Sequence, residues 1–224
     1  MLLSAVMRVL NEEKELPDCL TALSTFCDEI VIVDCGSTDR TLEIAEQYSM
    51  VRLYSMPQPS ISGKVHFTAA YPAVAYAVEQ AQGKWRLIWD ADERPCARMQ
   101  AELRPLLEHL GTTTDMVALR GVHLVEEGHY RPVWTSRAPG RIARAAGVAQ
   151  LTGSWMQDAV FGGTGKVYQA DMTLFHRYFV RRAQKNAIYD AIGIPHPTDA
   201  QAHDGMTPWP SGVCRPDCER CFLG

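Results

Sequence analysis

Apolar residues fall into short blocks whose period switches along the chain. Residues 3–10 are almost continuously apolar, interrupted by Arg8, and predict a buried strand that runs directly into Asn11-Glu12-Glu13. Over residues 16–26 the spacing turns helical. Leu16, Cys19, Leu20 and Leu23 share one face, and Pro17 sits in the first turn, where it removes no helical hydrogen bond. Ile30-Val31-Ile32-Val33 is the centre of a second strand, residues 29–34, which stops at Asp34. Cys35-Gly36-Ser37-Thr38-Asp39 reads as a turn, with Ser37 or Thr38 placed to cap a helix from Arg40 to about Tyr48. A third strand covers 51–54. The order βαβαβ predicts a parallel sheet with helices on its faces.

Residues 56–67 are rich in Pro, Ser and Gly and read as a loop. A helix follows over 68–82, with Pro72 near its first turn and Ala73, Ala77 and Ala81 forming a close-packing face; Gly83 ends it. The strand at 85–89 then runs into Asp90, Asp92, Glu93 and the breaker Pro95. Carboxylates crowded at the end of a buried strand repel one another unless a cation sits among them, and a divalent metal bound by hard oxygen ligands suits that place. In open α/β sheets ligands bind at the carboxyl ends of strands. The competing reading is a polar strand end whose aspartates cap the next helix. That helix covers 99–110, and Pro105 is expected to kink or split it.

After Asp115 the texture changes. Residues 116–125 and 129–134 predict a hairpin around Glu126-Glu127-Gly128, and 141–144 a further short strand. Residues 148–167 are Gly-rich and irregular, 172–175 are apolar again, and 179–192 read as a last helix with a basic start. From Gly193 the chain is rich in Pro, His and Asp without an apolar period, a tail or loosely held flap. The expected fold class is α/β, a mainly parallel sheet flanked by helices with a smaller antiparallel element. The expected organisation is one domain over 1–192, with halves at 1–115 and 116–192, and a Pro/Cys-rich tail over 193–224.

With 224 residues, 46% of them hydrophobic, the chain can bury a proper core. The net charge of −4 gives no general attraction to nucleic acid or anionic membrane. No apolar run approaches the roughly 20 residues of a membrane span. The first ten residues carry no basic leader or cleavage pattern and read as a strand. Of the 7 cysteines, Cys19, Cys27, Cys35 and Cys96 are scattered and read as the reduced thiols of a cytoplasmic protein. Cys214, Cys218 and Cys221 cluster in the tail, with His196 and His203 upstream. They are either free thiols or ligands of a structural Zn²⁺.

Three segments now form a pattern: Asn11-Glu12-Glu13 after the first strand, Val33-Asp34-Cys35-Gly36-Ser37-Thr38-Asp39-Arg40-Thr41 after the second, and Trp89-Asp90-Ala91-Asp92-Glu93 after the fourth. Together they resemble a family-2 glycosyltransferase of the GT-A (Rossmann-like) fold, in the flavour of bacterial lipopolysaccharide-core glucosyltransferases. The resemblance implies transfer of a hexose from a nucleotide-sugar, usually a UDP-sugar, to an acceptor hydroxyl with inversion. It also implies a Mn²⁺ or Mg²⁺ on the diphosphate held by the Asp-x-Asp motif, with Asp92 at the metal and Asp90 nearer the ribose and sugar. Asn11, Glu12, Asp34 and Asp39 would line the nucleotide pocket, Asp39 alternatively acting as a helix cap. Lys64 would reach a phosphate or simply be solvated. Two departures stand out: Cys35 occupies a place where many relatives carry a base-reading aspartate, and Thr68-Ala69-Ala70-Tyr71-Pro72 stands where similar sequences carry Ala-Arg-Asn.

An inverting transferase needs a general base for the acceptor hydroxyl. In similar sequences it lies between an Arg-rich strand and an apolar stretch ending in His. Arg141-Ile142-Ala143-Arg144 matches the first and Leu174-Phe175-His176 the last. Between them Gly153-Ser154-Trp155-Met156-Gln157-Asp158 replaces the usual His-Glu pair, which makes Asp158 the expected base, with Glu126 or Glu127 as alternatives. His176 would be a third metal ligand or a satisfied buried histidine, and Trp155 a sugar-stacking or a core residue. Glycan, lipid, protein and nucleobase acceptors all remain open. Two other functions compete: a nucleotidyltransferase, disfavoured because Asn11-Glu12-Glu13 is acidic where a Gly-rich, basic phosphate loop belongs, and a nucleotide-sugar binder that has lost its base.

Overall fold

The computed structural model describes residues 1–57, 60–61, 64–65, 70–126, 129–132, 140–147, 149–152, 160–177 and 207–208. Along the chain the elements are β1 (Leu3–Val9), α1 (Leu16–Leu23), β2 (Glu29–Asp34), α2 (Thr41–Ala45), β3 (Val51–Ser55), β4 (Ser60–Ile61), β5 (Lys64–Val65), α3 (Ala70–Gln80), β6 (Trp85–Ile88), β7 (Glu93–Pro95), α4 (Ala97–His109), β8 (Met116–Glu126), β9 (His129–Pro132), β10 (Gly140–Arg144), β11 (Gln150–Thr152), β12 (Val160–Gly162), β13 (Val167–His176) and β14 (Thr207–Pro208).

The first four apolar strands lie side by side in the order β3-β2-β1-β6, all parallel. Alternation along β1 divides the core. Leu3, Ala5, Met7 and Val9 pack with α1 and with Met99, Leu103 and Leu107 of α4. Val6 faces the other way, toward Val31, Val33, Ile88 and the Ala73–Ala77 face of α3. A sheet covered on both faces needs no polar alternation, which is why β2 is buried along its whole length. β10 then joins β6 antiparallel, setting Ile142 opposite Leu87, and β8 continues beyond it. The α/β class and the mainly parallel core are as expected. The second, smaller element is continuous with the same sheet: a β8/β9 hairpin, a β11/β12 hairpin on β10, and β13, parallel to β8 and antiparallel to β7.

Several local expectations change. α4 runs unbroken through Pro105. That proline and Ala101, whose carbonyl loses its helical donor, both face solvent, while Leu103 and Leu107 anchor the buried side. The stretch 148–167 is more regular than its glycines suggest, because β11 and β12 are three residues each, too short to show a period. β13 begins at Val167, well before its buried half; its first residues face solvent, Val167 and Tyr168 included, and Gln169 and Asp171 break any continuous apolar run. The helix expected at 179–192 lies outside the described residues. No helix among the described residues is long and apolar enough to cross a membrane.

Candidate active site

β1, β2 and β6 end together, and three loops leave that edge. The loop after β1 is laced to the loop after β2. Asn11, at φ 55 the non-glycine residue with positive φ among those described, donates its amide to Ser37 Oγ at 2.9 Å and accepts from the Thr38 amide at 2.8 Å. The Glu12 amide donates to Thr41 Oγ1 at 2.7 Å, and the Glu13 amide to Asp39 Oδ2 at 3.2 Å. Asn tolerates this left-handed backbone better than most residues. Asp34, buried, accepts from the amides of Gly36 (3.0 Å) and Ser37 (3.1 Å), and Gly36 supplies the φ of 103 that the turn requires.

Ser37 and Thr38 therefore bind the neighbouring loop and do not cap α2. Asp39 takes that part, accepting the Thr41 amide at 3.0 Å. Burial pushes the Asp39 carboxyl up, but the Thr41 hydroxyl and the amides of Thr41 and Glu13 outweigh it and leave it below its ordinary range. Asn11, Glu12, Asp34 and Asp39 thus lie in two loops bonded to each other, and both aspartates also build the loops they sit in.

The third loop is the turn after β6. Glu93 closes it, accepting the Asp90 amide at 2.8 Å while its own amide donates to the Asp90 carbonyl at 3.0 Å. Arg141, fully buried on β10, donates from Nη2 to Glu93 Oε1 at 2.9 Å and places Nη1 3.6 Å from Asp90 Oδ2. Glu93 is itself wholly buried, and this pushes its carboxyl up to about 8 against the pull of Arg141. The crowding seen in the sequence is thus partly relieved by a guanidinium. Asp90 keeps 28% of its side chain exposed. Asp92 is buried, with Oδ2 3.2 Å from His176 Nε2, a contact placed by the β7/β13 register that sets His176 opposite Glu93.

Among the described residues, no group of three or more His, Cys, Asp or Glu side chains is assembled to hold a metal. Present are one carboxylate–imidazole pair, Asp92 with His176, and the half-exposed Asp90 two residues away. Oxygen and imidazole donors suit Mn²⁺, and Mg²⁺-type sites commonly use one or two carboxylates plus substrate phosphates and water. The residues fit an ion that arrives with a diphosphate.

Asp158, Glu127, Trp155, His196, His203, Cys214, Cys218 and Cys221 lie outside the described residues. Lys64 pairs by its backbone with Ile61, and Glu126 with His129; their side chains are not described. Cys19, Cys27, Cys35 and Cys96 are buried, and burial raises the Cys19 and Cys27 thiols far above the ordinary value, as expected of inert core thiols.

Sequence reasoning passed over two features of the site. Arg141 was noted as part of an Arg-rich strand but its pairing with Glu93 was not, although an arginine in a buried strand must find a carboxylate. Glu15, which pairs with Arg94 and with Arg177, carries no local signal, its partners lying 79 and 162 residues away.

The family model described as Glycosyl transferase family 2 matches residues 4–182. The lipopolysaccharide core biosynthesis glycosyltransferase LpsC of Rhizobium meliloti is 35% identical over 119 residues, covering 51% of this chain and 39% of LpsC. A TPR repeat-containing protein of Synechococcus elongatus is 32% identical over 105 residues, 47% of this chain and 24% of that protein. The aligned stretches thus span well under half of either relative. Among solved structures, glucosyl-3-phosphoglycerate synthase from Mycobacterium tuberculosis, in complex with phosphoglyceric acid, superposes with a TM-score of 0.50 at 16% identity, over 93% of this chain and 87% of that one. That likeness is one of fold, the GT-A type.

Proposed function

Because the chain belongs to glycosyl transferase family 2, we propose that it transfers a hexose from a nucleotide-sugar, a UDP-sugar first among candidates, to an acceptor hydroxyl with inversion. The observation that carries this reading is the pairing of Asp92 with His176 beside the half-exposed Asp90, at the edge where three parallel strands end. Asp90, Asp92 and His176 would hold a Mn²⁺ or Mg²⁺, which when bound neutralises negative charge on the departing diphosphate. Asn11, Glu12, Asp34 and Asp39 would form the nucleotide side, with Lys64 reaching a phosphate.

In the reaction the acceptor oxygen forms a bond to the anomeric carbon, the bond from that carbon to the diphosphate oxygen breaks, and the acceptor's proton passes to a base. Asp158 is the proposed base. Arg141 keeps the turn that carries Asp90 closed, through Glu93. A glycan acceptor comes first, in keeping with the 35% identity to a lipopolysaccharide-core enzyme. The nucleotidyltransferase alternative has no support in the acidic loop after β1.

The test is thermal stabilisation by UDP, GDP, CDP and dTDP, with and without Mn²⁺, on wild type and Asp92→Asn. A ligand at 100 times its dissociation constant adds about 2.7 kcal/mol. The expected result is a Mn²⁺-dependent shift with UDP that disappears in Asp92→Asn. No shift from any nucleotide in either condition overturns the reading. Asp158→Asn should keep the shift and lose turnover; a variant that keeps turnover moves the base elsewhere.

A further inference from the structure

Glu15 is the first residue at the mouth of α1, at the N-cap, yet its side chain makes no capping hydrogen bond. Its carboxylate is buried and meets two guanidiniums, Arg94 Nη2 and Arg177 Nη1, both 2.9 Å from the same oxygen, Oε2. Asp18 is a weaker neighbour, with Oδ2 3.9 Å from Arg94. Each arginine is tied to the backbone that carries the site. Arg94 donates from Nη1 to the carbonyls of Ala91 and Glu93, both at 2.8 Å, and from Nη2 to the carbonyl of Glu15 at 3.1 Å. Arg177 follows His176 directly, and its amide donates to the Asp92 carbonyl at 2.9 Å. One carboxylate therefore fastens three segments: the loop after β1, the turn after β6 and the end of β13.

Two cations at the positive end of a helix would repel it and each other without an anion between them. Released, they would also compete with any bound cation for the nearest carboxylates. We propose that Glu15 is a positioning residue for the Asp92–His176 pair: it holds Arg94 and Arg177 so that this pair keeps its geometry and stays open to a cation. This rests on the assignment of Asp92 and His176 to the donor site.

The experiment compares the full chain with its Glu15→Gln and Arg177→Gln variants, with Glu29→Gln as a control at the opposite end of the sheet. Arg177 is the more exposed partner, so its variant serves if Glu15→Gln does not fold. Backbone hydrogen exchange is read on the ligand-free proteins at positions 93 and 177, whose amides bond Asp90 and Asp92, and at Cys35, whose amide bonds Val9. Affinity is read with UDP and Mn²⁺. Both site variants should exchange about tenfold faster at 93 and 177 and at the wild-type rate at 35. They should also lose about 10- to 100-fold in Mn²⁺-dependent UDP affinity. Glu29→Gln should show neither change. If exchange at 93 and 177 stays at the wild-type rate while only the melting point falls, Glu15 is a structural ion pair and the proposal is wrong. Failure of wild type to bind any nucleotide would sink the transferase reading instead, and the ligand-free exchange rates would still decide the role of Glu15.

Discussion

The two ends of the parallel sheet bury carboxylates in opposite ways. At the amino end Glu29, 2% exposed, accepts from Ser4 Oγ, from the Gln82 amide at 2.9 Å and from Arg52 at 2.6 Å. Nearby Asp28 accepts the amides of Leu2 and Leu3 and pairs with Arg104. Burial alone would raise both groups, but these donors outweigh it and hold both below the ordinary range. At the carboxyl end Glu93 is pushed up to about 8, Asp90 stays partly exposed, and Asp92 lies 3.2 Å from His176. One end has enough donors for its acceptors. The other buries Glu93 deeply enough to disfavour its charge and leaves Asp90 partly open to solvent. Even the glycines differ. Gly83, at the amino end, is there for space, since a Cβ would meet Ser4 N at 2.7 Å and Trp85 O at 2.8 Å, whereas Gly36 is there for its φ of 103, a Cβ meeting only ordinary contact with Pro57 at 3.8 Å.

The contrast breaks first where chemistry is at stake. On the proposed metal-binding role, Asp92→Asn should lower turnover by about 10²–10³-fold with little change in melting point, because the near-isosteric amide removes the charge and keeps the packing. Steady-state rates beside a melting curve check this, and a large melting loss with near-normal turnover would reverse the two ends. Glu29→Gln should do the opposite, costing about 2–3 kcal/mol of stability while leaving nucleotide binding unchanged. At about 2–4 °C per kcal/mol for a chain of this size, calorimetry resolves it. Gly83→Ala should cost about 1–2 kcal/mol by forcing backbone apart; a neutral result would mean that the tight approach at Ser4 relaxes freely.

Acidification gives the smallest effect. Glu29 and Asp28 have folded pKa values below their ordinary ones, so the unfolded chain takes up protons first. Their stabilisation is present above the ordinary carboxylate pKa and is lost as pH falls through the depressed folded values. Denaturant melts between about pH 6 and pH 3 should therefore fall less steeply in Glu29→Gln than in wild type. Equal slopes would remove Glu29 from the acid leg.

Much of this was visible in the chain itself. Buried parallel strands advertise themselves as continuous apolar runs, so β2 and the end of β6 were read almost to the residue. The carboxylates after them stood out because nothing local neutralised them. The helix caps were less legible. Ser37 and Thr38 have the right chemistry for α2, but Asn11 of a neighbouring loop engages them first, and that loop is distant in sequence. Pro105 misled for a related reason, since its cost depends on which face of α4 it occupies.

The order of the core strands and helices, and the acidic turn at the carboxyl end of the sheet, were determined by the sequence alone, because periodicity and strand ends are local properties. Which cation answers which carboxylate was decided only by the tertiary structure. Arg141 reaches Glu93 because β10 joins β6 antiparallel, His176 reaches Asp92 because β13 pairs with β7 in one register, and Glu15 gathers Arg94 and Arg177 across three segments. A one-residue slip in either register would turn those side chains to the other face, so their partners exist only once the sheet has closed.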